Sequence, residues 1–170
     1  YPLPEAQTDR FMMKVLVDYP APEDELGVLR LVRSEERPTP KADGDSKPVY
    51  AASPEDVSSA RDAISSLHVA EPIESYIIDI VNATRHPDKI SKALASQIEI
   101  GASPRAVLAI DRCARALAWL KGRDFVSPGD IQAVAPDVLR HRLILSYEAR
   151  GAKRSPDDVV ADVLDVVAVS

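Results

Sequence analysis

Three arginines stand where a guanidinium could meet an anion. Arg105 follows Ser103-Pro104, a pair that opens a helix with Ser at N-cap and Pro at N1. A cation in a first turn opposes the helix dipole, at a cost of about 0.3–1 kcal/mol, and a bound anion reverses that sign. Free amides at a helix start suit phosphate. Gly101-Ala102-Ser103 keep side chains small beside Pro104, so a phosphate could approach. Guanidinium adds a planar, permanently charged fork. The plainer alternative is an exposed arginine lying along the surface. Arg10 follows Asp9 and precedes the apolar run 11–17; by itself it reads as a surface ion pair with Asp9 or Glu5, worth under about 1 kcal/mol. Arg142, beside His141, could line an interface or cap the helix ending near Leu139, and the structural role is preferred.

Other chemistry is missing from the chain. No glycine is followed by Lys and then Ser or Thr, so there is no phosphate loop. Val15-Leu16-Val17-Asp18 resembles a strand ending in a magnesium-binding Asp, but without that loop it is not assigned the role. His68, His86 and His141 show no metal-ligand spacing with one another or with Cys113. Cys113 lies mid-helix and reads as a small buried hydrophobe. No G-x-S-x-G elbow occurs.

The 170 residues are 45% hydrophobic with 5% aromatics, so the core must be aliphatic and suits helices packed on helices. The net charge of −6 argues against bulk attraction to nucleic acid. It is uneven: residues 105–154 carry ten basic and five acidic groups, and the remainder eleven and twenty-two. No apolar run approaches the roughly 20 residues of a membrane span. The start at Tyr1 has no signal-peptide pattern and no Met, which leads us to expect a piece of a longer protein. One cysteine excludes an internal disulfide and fits a cytoplasmic setting.

Four Ser-Pro pairs, at 53–54, 103–104, 127–128 and 155–156, predict four helix starts, three of them soon followed by acids. The predicted helices run from about Pro54 to Leu67, from near Pro72 to before Pro87, from Pro104 to near Gly122, over 128–139 and from Pro156. In the second, Ile73, Tyr76, Ile77, Ile80 and Val81 share a face. In the third, Val107, Ile110, Ala114 and Leu117 do, with Cys113 and Leu120 flanking. Phe11–Val17 predicts a buried strand whose sheet partners lie elsewhere, and Glu23–Val32 a helix. Residues 34–49, rich in Pro and charge, read as a loop. A small two-stranded element is expected to pair Ile98–Ile100 with Phe125-Val126.

Five segments, in order, resemble the MoxR-type family of AAA+ ATPases: Leu3-Pro4-Glu5-Ala6-Gln7-Thr8-Asp9-Arg10-Phe11, Tyr19-Pro20-Ala21-Pro22-Glu23, Gly101-Ala102-Ser103-Pro104-Arg105-Ala106, Gly122–Pro128 and Leu139-Arg140-His141-Arg142-Leu143. Thr8 stands where Leu is common. The resemblance implies a mainly α chain, an AAA+ helical lid bundle with a short β element, preceded by a stub of the α/β core. Its boundaries would be 1–34 for the end of the core, 35–50 for a linker and 51–170 for the lid.

The resemblance further implies that Arg10 is an arginine finger acting in trans. Arg105 becomes sensor 2 on the γ-phosphate, with Ser103 and Pro104 shaping its helix start, and Arg142 is a weaker candidate. ATP and Mg2+ would be the cofactors, with the magnesium ligands outside this chain and the fragment alone inactive. Partners would be further copies in a ring, usually a hexamer, and protein clients remodelled in a chaperone-like way, including von Willebrand A domain proteins. The alternative is a stand-alone helical module whose basic half binds nucleic acid or an acidic protein.

Overall fold

The computed structural model describes residues 3–36 and 52–168. The expected linker at 35–50 lies, from residue 37 on, outside the described residues. The chain separates into two compact units, one of residues 1–15 with 58–170 and one of 16–57. In the smaller unit, α2 (Pro22–Glu35) opens with Pro at N1 and Glu23, Asp24 and Glu25 in its first turn. It runs a little past the predicted end, and none of its residues is buried.

The larger unit contains α1 (Glu5–Thr8), most of α3 (Pro54–Ser65), α4 (Glu71–Arg85), a 3-10 turn at Pro87–Lys89, α5 (Lys92–Ala95), β1 (Ile98–Ile100), α6 (Pro104–Leu120), α7 (Pro128–Leu139), β2 (Ile144–Leu145), α8 (Tyr147–Gly151) and α9 (Pro156–Val166). It is mainly α, as expected, and all four Ser-Pro pairs open helices. Three form reciprocal caps with an Asp at N3. Ser53 and Asp56 exchange backbone-to-side-chain bonds of 2.9 and 3.1 Å. Ser155 and Asp158 do the same at 2.8 and 3.1 Å. Asp130 Oδ2 accepts from both the Ser127 amide, at 2.9 Å, and its hydroxyl, at 2.7 Å. Arg123 and Lys121 also pair with Asp130, at 2.5 and 3.3 Å. The fourth helix, α6, has Ala106 at N3 and so lacks a carboxylate of its own.

The core lies where α4, α6, α7 and α9 meet. Ile73, Tyr76, Ile77, Ile80 and Val81 of α4 are buried, as their spacing predicts. On α6 the buried stripe is Ala106, Ala109, Ile110, Cys113, Ala114 and Ala118. It is rotated from the expected face: Val107 and Leu117 are half-buried, and Leu120 is exposed. The alanines allow neighbouring backbones to approach closely, which explains why the small residues face inward. Val159, Val160 and Val163 of α9 are buried. Gly122, at φ +71°, ends α6 as expected.

Two β expectations fail. Ile98–Ile100 pairs antiparallel with Ile144–Leu145, Ile98 opposite Leu145. Phe125 instead forms a parallel bridge with His68, whose amide donates to Asp124 O and whose carbonyl accepts from the Val126 amide, both at 3.2 Å. In the observed pairing Leu145 lies opposite Ile98 and both are buried. Residues 11–17 form no strand. A strand needs a ladder, and the carbonyls of Phe11, Met12 and Lys14 and the amide of Lys14 are taken by other partners. The Lys14 amide donates to Asp137 O at 2.8 Å, and Arg140 and Arg142 donate to the carbonyls of Lys14, Phe11 and Met12.

The turn into α6 is pinned to α4. Thr84 Oγ1 accepts from the Ala102 amide at 3.0 Å and donates to Val81 O at 2.7 Å. Arg85 Nε donates to Ala102 O at 2.8 Å. Gly101 passes so close that a Cβ there would lie 2.3 Å from Thr84 O and 2.7 Å from Arg85 N. Gly101→Ala is therefore expected to cost at least about 1–3 kcal/mol, read as a fall in C_m at unchanged m in urea. Gly129→Ala, whose Cβ would meet only Ser127 Oγ at 3.8 Å, is expected to stay within about 0.5 kcal/mol.

Candidate functional site

Asp9 is the junction of the site. It caps the short helix α1, whose Thr8 hydroxyl donates to Glu5 O at 3.0 Å. The Asp9 carboxylate accepts from Ser103 Oγ at 2.9 Å to each oxygen, from Arg105 Nη1 at 3.0 Å and from Arg142 Nε at 3.2 Å. Ser103 Oγ in turn accepts from the Arg105 amide at 3.2 Å. The other three Ser-Pro helices have their own Asp at N3. Here the anion comes from 94 residues away in sequence.

Arg142 is buried to 8% exposure, and all five of its N–H donors are used. They go to the Asp9 carboxylate, Asp9 O at 3.1 Å, Phe11 O at 2.5 Å, Met12 O at 3.2 Å and Val138 O. This is a cage that ties residues 9–12 to the end of α7. The guanidinium thus meets Val138 O at the end of α7 and, beyond it, the segment 9–12. His141 Nε2 lies 3.2 Å from Phe11 O. Burial lowers His141 below the ordinary histidine value, with Arg142 and Lys14 adding to it against the Phe11 carbonyl, so the ring is neutral at pH 7.

Beside this junction is a cavity of about 230 Å³ lined by Asp9, Arg10, Met12, Arg105, Leu108, Ala109, Arg112 and Arg142. The three arginines singled out from the sequence therefore converge on one place. Ser103 caps α6 next to them, with Pro104 at N1. Arg105 is 56% exposed in its side chain, and Arg10 is exposed. Arg10 and Arg112 have no ion-pair partner among the described residues. Four guanidiniums and one carboxylate leave the wall strongly cationic, suited to a phosphate or another compact anion. No group of side chains that could hold a metal ion occurs among the described residues.

Arg112 and Asp9 were not singled out beforehand. Arg112 had a signal: at i+7 from Arg105 it falls on the same helical face. For Asp9 the signal was the missing acid at N3 of α6, which leaves an amino end to be satisfied from elsewhere.

Residues 90–163 match the AAA lid domain family. The chain is 40% identical over 170 residues to Chaperone MoxR1 of Mycobacterium tuberculosis, covering 99% of this chain and 43% of that protein. Protein MoxR of Paracoccus denitrificans is 35% identical over 159 residues, covering 88% and 46%. The 2.00 Å crystal structure of a candidate ATPase from Cytophaga hutchinsonii superposes with a TM-score of 0.84 at 39% identity, over 100% of this chain and 50% of that one. The chain thus spans somewhat less than half the length of these two curated relatives.

Burial alone would raise the Asp9 carboxyl. The Ser103 hydroxyl, the Arg105 guanidinium and the charge of Arg142 outweigh it and hold Asp9 below the usual carboxylate range. Asp130 is also depressed, chiefly by Arg123. A depressed folded value adds stability that is complete above the unfolded value of about 3.9 and is lost as pH falls through the folded one. Urea unfolding from pH 7 to 2 should therefore show an acid limb below about pH 4. Asp9→Asn should make that limb shallower.

Proposed function

We propose that this chain, which belongs to the MoxR-type AAA+ family and matches the AAA lid domain over residues 90–163, supplies the arginines of an ATP-hydrolysing site in the whole protein. In this reading Arg105 is the sensor 2 residue on the terminal phosphate, and Ser103 and Pro104 set the helix start that presents it. Arg10 is the arginine finger, and Arg142 holds the finger's segment in place rather than meeting nucleotide. Residues 1–34 are read as the end of the core, 35–50 as the linker and 51–170 as the lid.

The observation that carries this reading is the convergence of Arg10, Arg105 and Arg142, far apart in sequence, on one cationic cavity at the amino end of α6. The two exposed guanidiniums line the same wall and so address one phosphate group. If Arg10 reaches into a neighbouring subunit's site, Arg105 goes with it. Developing negative charge on the transferred phosphoryl group would be stabilised there. ATP and Mg2+ are the proposed cofactors, and the phosphate loop and magnesium ligands would come from another part of the protein. No phosphate loop occurs in this chain, so the chain by itself is proposed to be inactive.

The relative named Chaperone MoxR1 supports a chaperone-like role; remodelling or assembly of protein complexes from a ring, a hexamer, with von Willebrand A domain proteins among the clients, is part of this proposal. A cytoplasmic site of action is part of the same proposal. No helix among the described residues is long and apolar enough to cross a membrane.

The test uses the whole protein. Arg10→Ala is expected to bind ATP within about twofold of wild type and to lose turnover by about 10³-fold or more. Mixing it with a phosphate-loop variant should restore part of the activity, because one intact site forms between the two kinds of subunit. An Arg10→Ala protein that turns over at the full rate would sink the assignment.

A further inference from the structure

The contact between Asp9 and Arg105 poses a problem for any phosphate that approaches this cavity. Arg105 is the guanidinium proposed to bind it, yet its Nη1 is 3.0 Å from Asp9 Oδ2. The same carboxylate receives the Ser103 hydroxyl at the N-cap of α6. An incoming phosphate therefore meets a helix end and a guanidinium that already share an anion.

The geometry lets this contact open without unfolding the site. Arg105 is more than half exposed and has no other hydrogen-bond acceptor among the described residues, so it can swing away. Arg142 cannot, since it is caged by four backbone carbonyls as well as by the carboxylate. Asp9 thus stays attached to Arg142 and Ser103 when Arg105 leaves. Of its three partners, one is exchangeable and two are fixed.

We propose that Asp9 is a positioning residue that stands in for phosphate. It neutralises Arg105 and the amino end of α6 when the cavity is empty, and it yields Arg105 when a nucleotide phosphate arrives. Nucleotide affinity is then set by a competition between a carboxylate in the chain and a phosphate in the ligand. The fixed partners keep residues 9 and 10 on the cavity wall during the exchange, so Arg10 remains next to the incoming group. This rests on the reading of Arg105 as a phosphate ligand.

The experiment is a comparison of nucleotide binding in the whole protein for wild type, Asp9→Asn, Arg105→Ala and the double variant, using a non-hydrolysable ATP analogue. Steady-state ATPase kinetics are run in parallel. With a pair exposed on its arginine side as the competitor, Asp9→Asn should bind the analogue about two- to fivefold more tightly and lower KM(ATP) by a similar factor. In the Arg105→Ala background the same change should have no effect, since nothing is left to compete for. A merely structural Asp9 could only weaken binding, so tightening is specific to the competition.

Asp9→Asn leaves all the carbonyl acceptors of Arg142 in place and is expected to fold. Should it not, Asp9→Ser serves instead: it removes the charge while keeping a hydroxyl at this position, and the same tightening is expected. Binding that is unchanged or weaker in the variant that folds overturns the proposal. If Arg105→Ala alone leaves affinity at the wild-type value, it is the assignment of Arg105 that fails. If Arg105→Ala weakens binding but removal of the Asp9 charge does not tighten it, only the competition fails.

Discussion

A single buried guanidinium organises this end of the molecule. Arg142 takes an ion-pair partner and four backbone carbonyls from two segments that share no secondary structure. A buried cation with even one donor unsatisfied would be costly, so residues 9–12 must follow the course that satisfies it. Asp9 is thereby held against the start of α6, and Arg10 against the cavity that Arg105 lines. Without that cage, residues 11–14 would be an apolar stretch with unpaired backbone groups. With it, the carbonyls of Phe11 and Met12 are hydrogen-bonded.

The helix starts show how a local rule can create a distant contact. Three of the four Ser-Pro helices satisfy their amino ends with an Asp at N3. The fourth has Ala106 there and borrows the carboxylate of Asp9 instead. The exchange is physically simple, because a dipole end and a hydroxyl donor need an anion and do not care where in the chain it originates. It makes the start of the lid's longest helix dependent on a segment at the other end of the sequence.

Gly101 serves the same purpose from the other side. The backbone of 101–102 lies against the last turn of α4, held by Thr84 and Arg85. Two carbon–oxygen frameworks at this separation admit no side chain. The amino end of α6 is therefore fixed between α4 on one side and Asp9 on the other, and the direction in which Arg105 leaves the helix follows from both.

Much of this was legible in the residues. Ser-Pro pairs, a run of apolar residues at helical spacing in α4 and a glycine after Leu120 depend on interactions within a few positions, so they could be read along the chain. Arg105 could be picked out because its position in a first turn is locally unfavourable. What could not be read was any pairing settled by distant partners. Ile98–Ile100 chose Ile144–Leu145 over Phe125-Val126, since strand pairing depends on which edge tertiary packing brings alongside. The run 11–17 has the composition of a strand but lies where arginine side chains, not another strand, meet its carbonyls. The role of Asp9 depends on three residues more than 90 positions away. Local chemistry determined where helices begin and which arginines were candidates. Only the folded chain decided that three of those arginines share one cavity, because electrostatic and hydrogen-bond partners are chosen by proximity in space and not along the sequence.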